Sequence, residues 1–442
     1  MHLVWHRGDL RIHDHPALTT ALSRGPVLGI VVLDESILSG TSARRRAWFY
    51  ANVQALRESY RQRGGTLLVR KGTPWNVLPE LVASTGAEAV HALASYTPYG
   101  LLRDQKTEAS LHRPLYWHPG CYLYEPGTVS KDDGTPYTVY TPFRKRAQKS
   151  PLPEPLPSPT KIESPTTAEL GTIPEEASDI PLPDAGESKA LELLERFLNG
   201  GLAHYHLERD GLDGSGVSRL SVYLTLGVLS PRLAASLAAK RGGPGAESWI
   251  RELLWRDFMA DLLYHYPHMR TEAFDRRWND LPWQNDPELF EAWCRAKTGI
   301  PVIDAAMREL KTTGWISNRP RMIVAQFLVK HLLLPWQWGE KIFKEWLLDG
   351  DTANNLGGWH WAGGLGVDAA PYFRVFNLVT QATKHDPEGS WLRRWHPESG
   401  GNPEPVSPLI DIAAARARYL EAAKQLSRRP SDLPAPRDPL RR

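Results

Sequence analysis

Two cysteines in 442 residues, Cys121 and Cys294, are too few and too far apart for a disulfide framework or a thiolate metal site. Both read as structural. Long apolar runs are missing as well, since no stretch approaches the roughly 18 uninterrupted apolar residues of a membrane span. The opening Met1-His-Leu-Val-Trp-His-Arg-Gly-Asp-Leu-Arg11 carries charges where a signal peptide needs an apolar core. These absences predict a cytoplasmic protein with no membrane partner. Charge of one sign is scarce too: the formal net charge is +3, so affinity for nucleic acid must come from local patches. The short basic runs Arg44-Arg-Arg46, Arg144-Lys-Arg146, Arg276-Arg277 and Arg393-Arg394 read first as solvated faces. No GxGxxG fingerprint, Ser/His/Asp order or supported nucleophilic Cys is present, which argues against a conventional dinucleotide site and a hydrolytic triad.

Tryptophan, by contrast, is abundant. Thirteen of the seventeen lie after residue 248, and they converge on Leu348-Asp-Gly-Asp-Thr-Ala-Asn-Asn-Leu-Gly-Gly-Trp-His-Trp361. Indoles in such number suggest a flat aromatic ligand, stacked bases or electron transfer.

Up to about residue 130, apolar runs at Leu3–Trp5, Val27–Leu33, Thr66–Val69 and Ala89–Leu93 alternate with helical periodicity, as in Arg44–Arg63 and Pro74–Ser84. Strands apolar throughout and alternating with helices imply an α/β domain with a doubly wound parallel sheet. Its ligand crevice should lie beyond the strand ends, near Asp34, Gly72 and Ser95-Tyr-Thr-Pro-Tyr-Gly100. Residues 131–188, proline-rich from Ser150 to Glu187, predict a long extended connector that wraps one domain on the way to the other. Residues 189–400 read as an all-α domain, and 401–442 as a short helix near Ile412–Leu426 followed by a Pro/Arg tail without fixed structure.

Several segments of the helical part carry polar groups beside apolar ones. Gly214-Ser-Gly-Val-Ser-Arg-Leu-Ser221 could offer N–H groups, hydroxyls and a helix start to a diphosphate, or be an ordinary capped helix. Asp349 and Asp351, with Asn354, suit hydrogen bonding to a ribose or a heterocycle; without His or Glu at ligand spacing they make a poor metal site, and no metal is expected. Glu252 and Trp255, three apart, share a helix face. Trp315-Ile-Ser-Asn-Arg-Pro-Arg-Met322 places an amide, two guanidiniums and a thioether near a helix start, suited to phosphate or base contacts.

At these residues the chain resembles the photolyase and cryptochrome family of flavoproteins, from Val4 to about Pro397. The likeness rests on Trp5-His-Arg-Gly-Asp-Leu-Arg11, with His6 where Phe is usual, on Gly216–Ser221, Leu254-Trp-Arg-Asp-Phe258, Thr298–Arg308 and Asp349–Trp361. The resemblance implies an α/β antenna domain, a connector and a helical FAD domain. It implies FAD, reduced and anionic in the active form, contacted by Tyr205, Val217, Ser218, Arg219, Leu220, Ser221, Arg321, Asp349, Gly350, Asp351 and Asn354. Val217 stands where many members have Thr, and Asn354 matches the amide facing the flavin N5. On the substrate side Glu252, Trp255, Asn318, Arg319, Met322 and Trp361 match enzymes that repair cyclobutane pyrimidine dimers flipped out of DNA, with Arg374 to Asn377 near the backbone. Trp359, Trp336 and Trp283 match the family's photoreducing chain. The Tyr96–Arg103 segment resembles members with a flavin-type second chromophore, FMN or deazaflavin, rather than folate. The implied activity is a class I-like deoxyribodipyrimidine photo-lyase acting as a monomer without an obligate protein partner. The alternative is a cryptochrome-like blue-light receptor without repair activity.

Overall fold

Runs that are apolar at every position have no solvent face to offer, so both sides must be covered. In the computed structural model, which describes residues 1–165, 169–368 and 370–437, five strands form one parallel sheet. They are β1 (His2–His6), β2 (Val27–Leu33), β3 (Thr66–Lys71), β4 (Ala89–Leu93) and β5 (Leu115–His118), in the order β3-β2-β1-β4-β5. Central β1 pairs with β2 from His2↔Val27 to His6↔Val31 and with β4 from His2↔Ala89 to Trp5↔Ala92. The strand order reverses between β1 and β4, the switch point where such sheets open a crevice. Periodicity does not announce β5, because this edge strand buries only Leu115 fully. Among the covering helices, Pro74–Thr85 opens on proline and stops at Gly86 in the left-handed region (φ 66°).

Where it is described, at 151–165 and 169–185, the connector has no regular secondary structure and follows the sheet. Ile162 donates to the Arg63 carbonyl at 2.8 Å, and the Glu163 and Leu170 carbonyls accept from Val27 and Val69 at 2.7 and 2.8 Å. Proline removes donors, but these three bonds pair connector N–H and C=O groups with the α/β part they wrap.

The helical part is built round Gly243–His265, Pro301–Thr313, Asn318–Gln326, Trp336–Trp346 and Thr352–Gly363. It meets the α/β part at a close backbone crossing. Gly227 has φ +59°, and a Cβ there would lie 2.1 Å from the Gly8 carbonyl oxygen, so only glycine fits. Beside it Leu10 donates to Leu226 at 3.1 Å and Arg11 Nη1 to Gly227 at 3.0 Å.

Two expectations differ from the structure. The Arg44-Arg-Arg46 run is not a solvated face: Arg44 reaches the Lys311 and Trp346 carbonyls at 3.3 Å, and Arg45 those of Lys344 and Gly350 at 2.6 and 2.8 Å. Carbonyls at helix ends need donors, and adjacent arginines on Ala43–Gln62 supply them. The Pro/Arg tail is also held as far as it is described. After the helix Ile412–Ser427, Asp275 accepts from the Ser431 hydroxyl at 2.7 Å and the Asp432 amide at 3.0 Å. Composition alone does not reveal that a buried acid awaits it. The connector's residues 166–168 and the last five, 438–442, lie outside the described residues. Among the described residues no helix is long and apolar enough to cross a membrane.

Candidate active site

A cavity of about 600 Å³ opens in the helical part, and every residue expected on either the cofactor or the substrate side lines it. Its walls come from the loop before Ser221–Thr225, from Gly243–His265, from Asn318–Gln326 and from the start of Thr352–Gly363. Trp283 and Trp336 stand outside that lining. The volume is that of a site for a ligand of drug or cofactor size.

On the inner side Asp351 caps Thr352–Gly363, its Oδ1 accepting from both the backbone and the side-chain amide of Asn354 at 2.8 Å. One carboxylate thus ends the helix and fixes the Asn354 side chain. Arg321 Nη2 pairs with Asp349 Oδ2 at 2.8 Å, while its Nε donates to the Ile316 carbonyl at 2.9 Å. Asp349 Oδ1 and the indole Nε1 of Trp359 are buried without a protein partner. Since both residues line the cavity, a heterocycle bearing N–H and carbonyl groups fits their unmet needs. Arg219, at φ +53°, lies 4.7 Å above the Trp315 ring, and Trp315 Nε1 donates to the Ser221 hydroxyl at 3.1 Å. Tyr205, Val217, Ser218, Leu220 and Gly350 complete this end. The donors and hydroxyls suit a diphosphate, and Val217 offers no hydroxyl to it.

Trp359 is pressed onto Trp336–Trp346: a Cβ on Gly339 would lie 2.1 Å from its Cη2. Phe343 and Trp293 meet its ring edge-on, with centroids 5.1 and 6.3 Å away. Trp336 is buried with its ring 4.4 Å from that of His360, and Trp283 donates from Nε1 to the Asn279 carbonyl at 3.1 Å.

On the other side Trp255 stacks on Tyr140, with ring centroids 3.7 Å apart and planes 14° from parallel. Glu252 forms an ion pair with Arg209; burial raises its carboxyl pKa, and the guanidinium opposes that rise. Arg319 pairs with Asp210 at 2.8 Å, and Trp361 donates to Asp368 at 3.3 Å. Asn318, Met322 and Arg374 also line this side. Sequence reasoning missed Arg209, Asp210 and Met259, which share the lining, and Tyr140 behind Trp255. Their partners lie tens to more than a hundred residues away, so local spacing carries no signal for them.

The remaining ionisable clusters are structural. His6, Asp9 and His15 lie close enough to hold a metal ion, but His6 already binds the Tyr60 hydroxyl at 2.7 Å and the Asp9 carbonyl at 3.1 Å. His15 holds Asp9 at 2.8 Å and the Leu18 amide at 3.1 Å. Burial pushes the thiols of Cys121 and Cys294 up to about 12, which leaves both unreactive. At the sheet crevice the Tyr99 hydroxyl donates to Asp34 at 2.7 Å, Arg103 to Ser95 at 2.9 Å, and Arg7 pairs with Asp104.

Comparison with known proteins gives these sites a context. Residues 2–160 match the model described as DNA photolyase, and 249–425 that described as FAD binding domain of DNA photolyase. The deoxyribodipyrimidine photo-lyase of Thermus thermophilus is 55% identical over 426 residues, covering 96% of this chain and 99% of that protein. Among solved structures, a cryptochrome of Synechocystis superposes with a TM-score of 0.88 at 28% identity, covering 95% of this chain and 98% of that one. An archaeal photolyase from Sulfolobus tokodaii with two FAD molecules gives 0.83 at 28% identity, covering 96% and 100%.

Proposed function

Because this chain belongs to the DNA photolyase family, we propose that it repairs cyclobutane pyrimidine dimers in DNA in a light-dependent reaction. The observation that carries the reading is one continuous cavity whose lining joins a set of groups suited to a flavin dinucleotide with a set suited to flipped bases. FAD bound there supplies, when reduced and excited by light, the electron that opens the dimer.

The protein's own groups do the rest. The Arg321–Asp349 pair would hold the heterocycle, and the Asn354 amide, oriented by Asp351, would donate toward its reduced form. Tyr205, Ser218, Arg219 and Ser221 hold the remainder of the dinucleotide. Trp255 and Trp361, each anchored by a neighbour, enclose the flipped pyrimidines, while Glu252 hydrogen-bonds to them and stabilises charge that develops there. Asn318 and Met322 shape the pocket; Arg319 and Arg374 take backbone phosphates. Trp359, Trp336 and Trp283 would supply electrons inward when the cofactor must be reduced.

A flavin-type second chromophore, FMN or deazaflavin, would be held at the strand ends of the α/β part near Asp34, Tyr99 and Arg103. Its support is the crevice's polar lining and the Sulfolobus photolyase that carries two FAD molecules. The reading takes the protein to act as a cytoplasmic monomer, and sedimentation tests its oligomeric state. A second reading, a light receptor without repair activity, draws on the likeness to the Synechocystis cryptochrome at 28% identity, against 55% for the Thermus photo-lyase.

Light-dependent loss of dimers with the wild-type protein separates the two, and replacing Glu252 by Ala then tests the substrate contact. Under the repair reading, Glu252→Ala retains flavin absorbance but lowers the yield of dimers split per photon. An unchanged yield would remove Glu252 from the reaction.

A further inference from the structure

Lys330 is 1% exposed, and among the described residues its polar contact is to a main-chain carbonyl rather than to a carboxylate. Burying an ammonium group costs several kcal/mol, about as much as a large core cavity, and an apolar side chain would avoid that cost. What Lys330 does instead is donate from Nζ to the main-chain oxygen of Arg374 at 3.0 Å, with the Tyr419 ring 5.6 Å away. Burial and the nearby Arg374 charge push its amine down to about 7.

One turn earlier, Gln326, 2% exposed, accepts from the Phe376 backbone amide at 3.1 Å. Two side chains four residues apart therefore hold the same loop at alternate residues, one by its C=O and the other by its N–H, just after the turn closed by Arg374 N–H on the Pro371 carbonyl at 3.1 Å. Arg374 and Phe376 both line the cavity. The holding segment is the far end of Asn318–Gln326, whose beginning supplies Asn318, Arg319 and Met322 to the same cavity, and a π turn, Phe327–His331, continues it. Such turns often mark functional sites, since one inserted residue re-aims the side chains that follow.

We propose that Lys330, together with Gln326, is a positioning residue for substrate: it fixes the backbone of residues 374–376 so that Arg374 and Phe376 meet dimer-containing DNA already in place. This role rests on the repair reading above. A loop ordered in advance spares the entropy that DNA binding would otherwise spend on it.

The test uses flavin-loaded protein and the variants Lys330→Met and Gln326→Met, which keep volume and remove the polar contact. Expected results are a KM and Kd for dimer-containing duplex raised about tenfold, with kcat at saturating DNA unchanged. Hydrogen exchange at the Phe376 amide in DNA-free protein should be faster in both variants. If exchange there is unchanged, or if kcat falls while KM holds, the positioning role is overturned. If Lys330→Met does not fold, Gln326→Met decides by the same two readouts. Wild-type protein that neither binds nor repairs dimers overturns the repair reading instead, and the exchange experiment still stands.

Discussion

Replacing Trp255 by Ala should weaken binding of dimer-containing DNA by about 10- to 100-fold. Stacking a base on an aromatic side chain is worth about 1–3 kcal/mol by alanine substitution, and each 1.4 kcal/mol is a factor of ten. The geometry puts Trp255 toward the upper part of that range. Its ring is already flat against Tyr140 at 3.7 Å, with Phe258 edge-on at 5.6 Å, so DNA need not order it. Ordering a free indole would cost about 0.5–1.5 kcal/mol. The same reasoning gives Tyr140→Ala a smaller loss, about threefold to tenfold, because it removes only the support. Tyr140→Phe, which retains the ring, should bind nearly as wild type does. Competition between dimer-containing and undamaged duplex, measured in the dark by fluorescence anisotropy, reads all three. A Trp255→Ala affinity within threefold of wild type would refute the stacking role, as would Tyr140→Ala losing more than Trp255→Ala.

Three further outcomes follow from buried groups. Arg321→Met leaves Asp349, 3% exposed in its side chain, without its 2.8 Å partner; an uncompensated buried carboxylate costs about 3–5 kcal/mol, so the thermal midpoint should drop. Arg321→Met with Asp349→Leu should recover much of that midpoint yet purify with little flavin, and normal flavin content would contradict the cofactor assignment. Gly339→Ala drives a methyl to 2.1 Å from Trp359 Cη2, so overpacking of about 1–3 kcal/mol and reduced flavin retention are expected, read by melting and by absorbance. Asp261, buried and pushed up to about 7 from 3.8, keeps its proton in the folded state after the unfolded chain has lost its own. Its contribution is therefore full below about pH 4 and is lost as pH rises toward 7, by up to about 4 kcal/mol. Asp261→Asn preserves the acceptor for Gly127 and should flatten denaturation midpoints across that window; an unaltered slope would show that Asp261 does not titrate there.

The continuous apolar strands and the helical periodicities were legible because each is a local pattern with a fixed repeat. Val27–Leu33 is recovered as a strand at those same ends, whereas half-exposed β5 has no apolar run to betray it. Of the expected site residues, Asp349 stands in a long motif while Tyr205, Glu252 and Arg321 do not, and the structure brings all four to one cavity. What the chain hides is pairing between distant segments. Arg209 with Glu252, Tyr140 under Trp255 and Lys330 on the Arg374 carbonyl arise only when the helices pack. The Arg44-Arg-Arg46 run shows the same limit from the other side, since a basic cluster has identical composition whether it meets water or the carbonyls of another helix.

The central claim, that this cavity repairs DNA by light, is tested most directly by counting cyclobutane dimers. Reduced, flavin-loaded protein is mixed with a duplex carrying one dimer, divided between near-UV to blue light and darkness, and the intact dimers are quantified by chromatography. Dimers should disappear in the illuminated sample and persist in the dark one. Equal amounts in both, from protein that retains its flavin and binds the duplex, would contradict the account and leave a receptor in place of an enzyme.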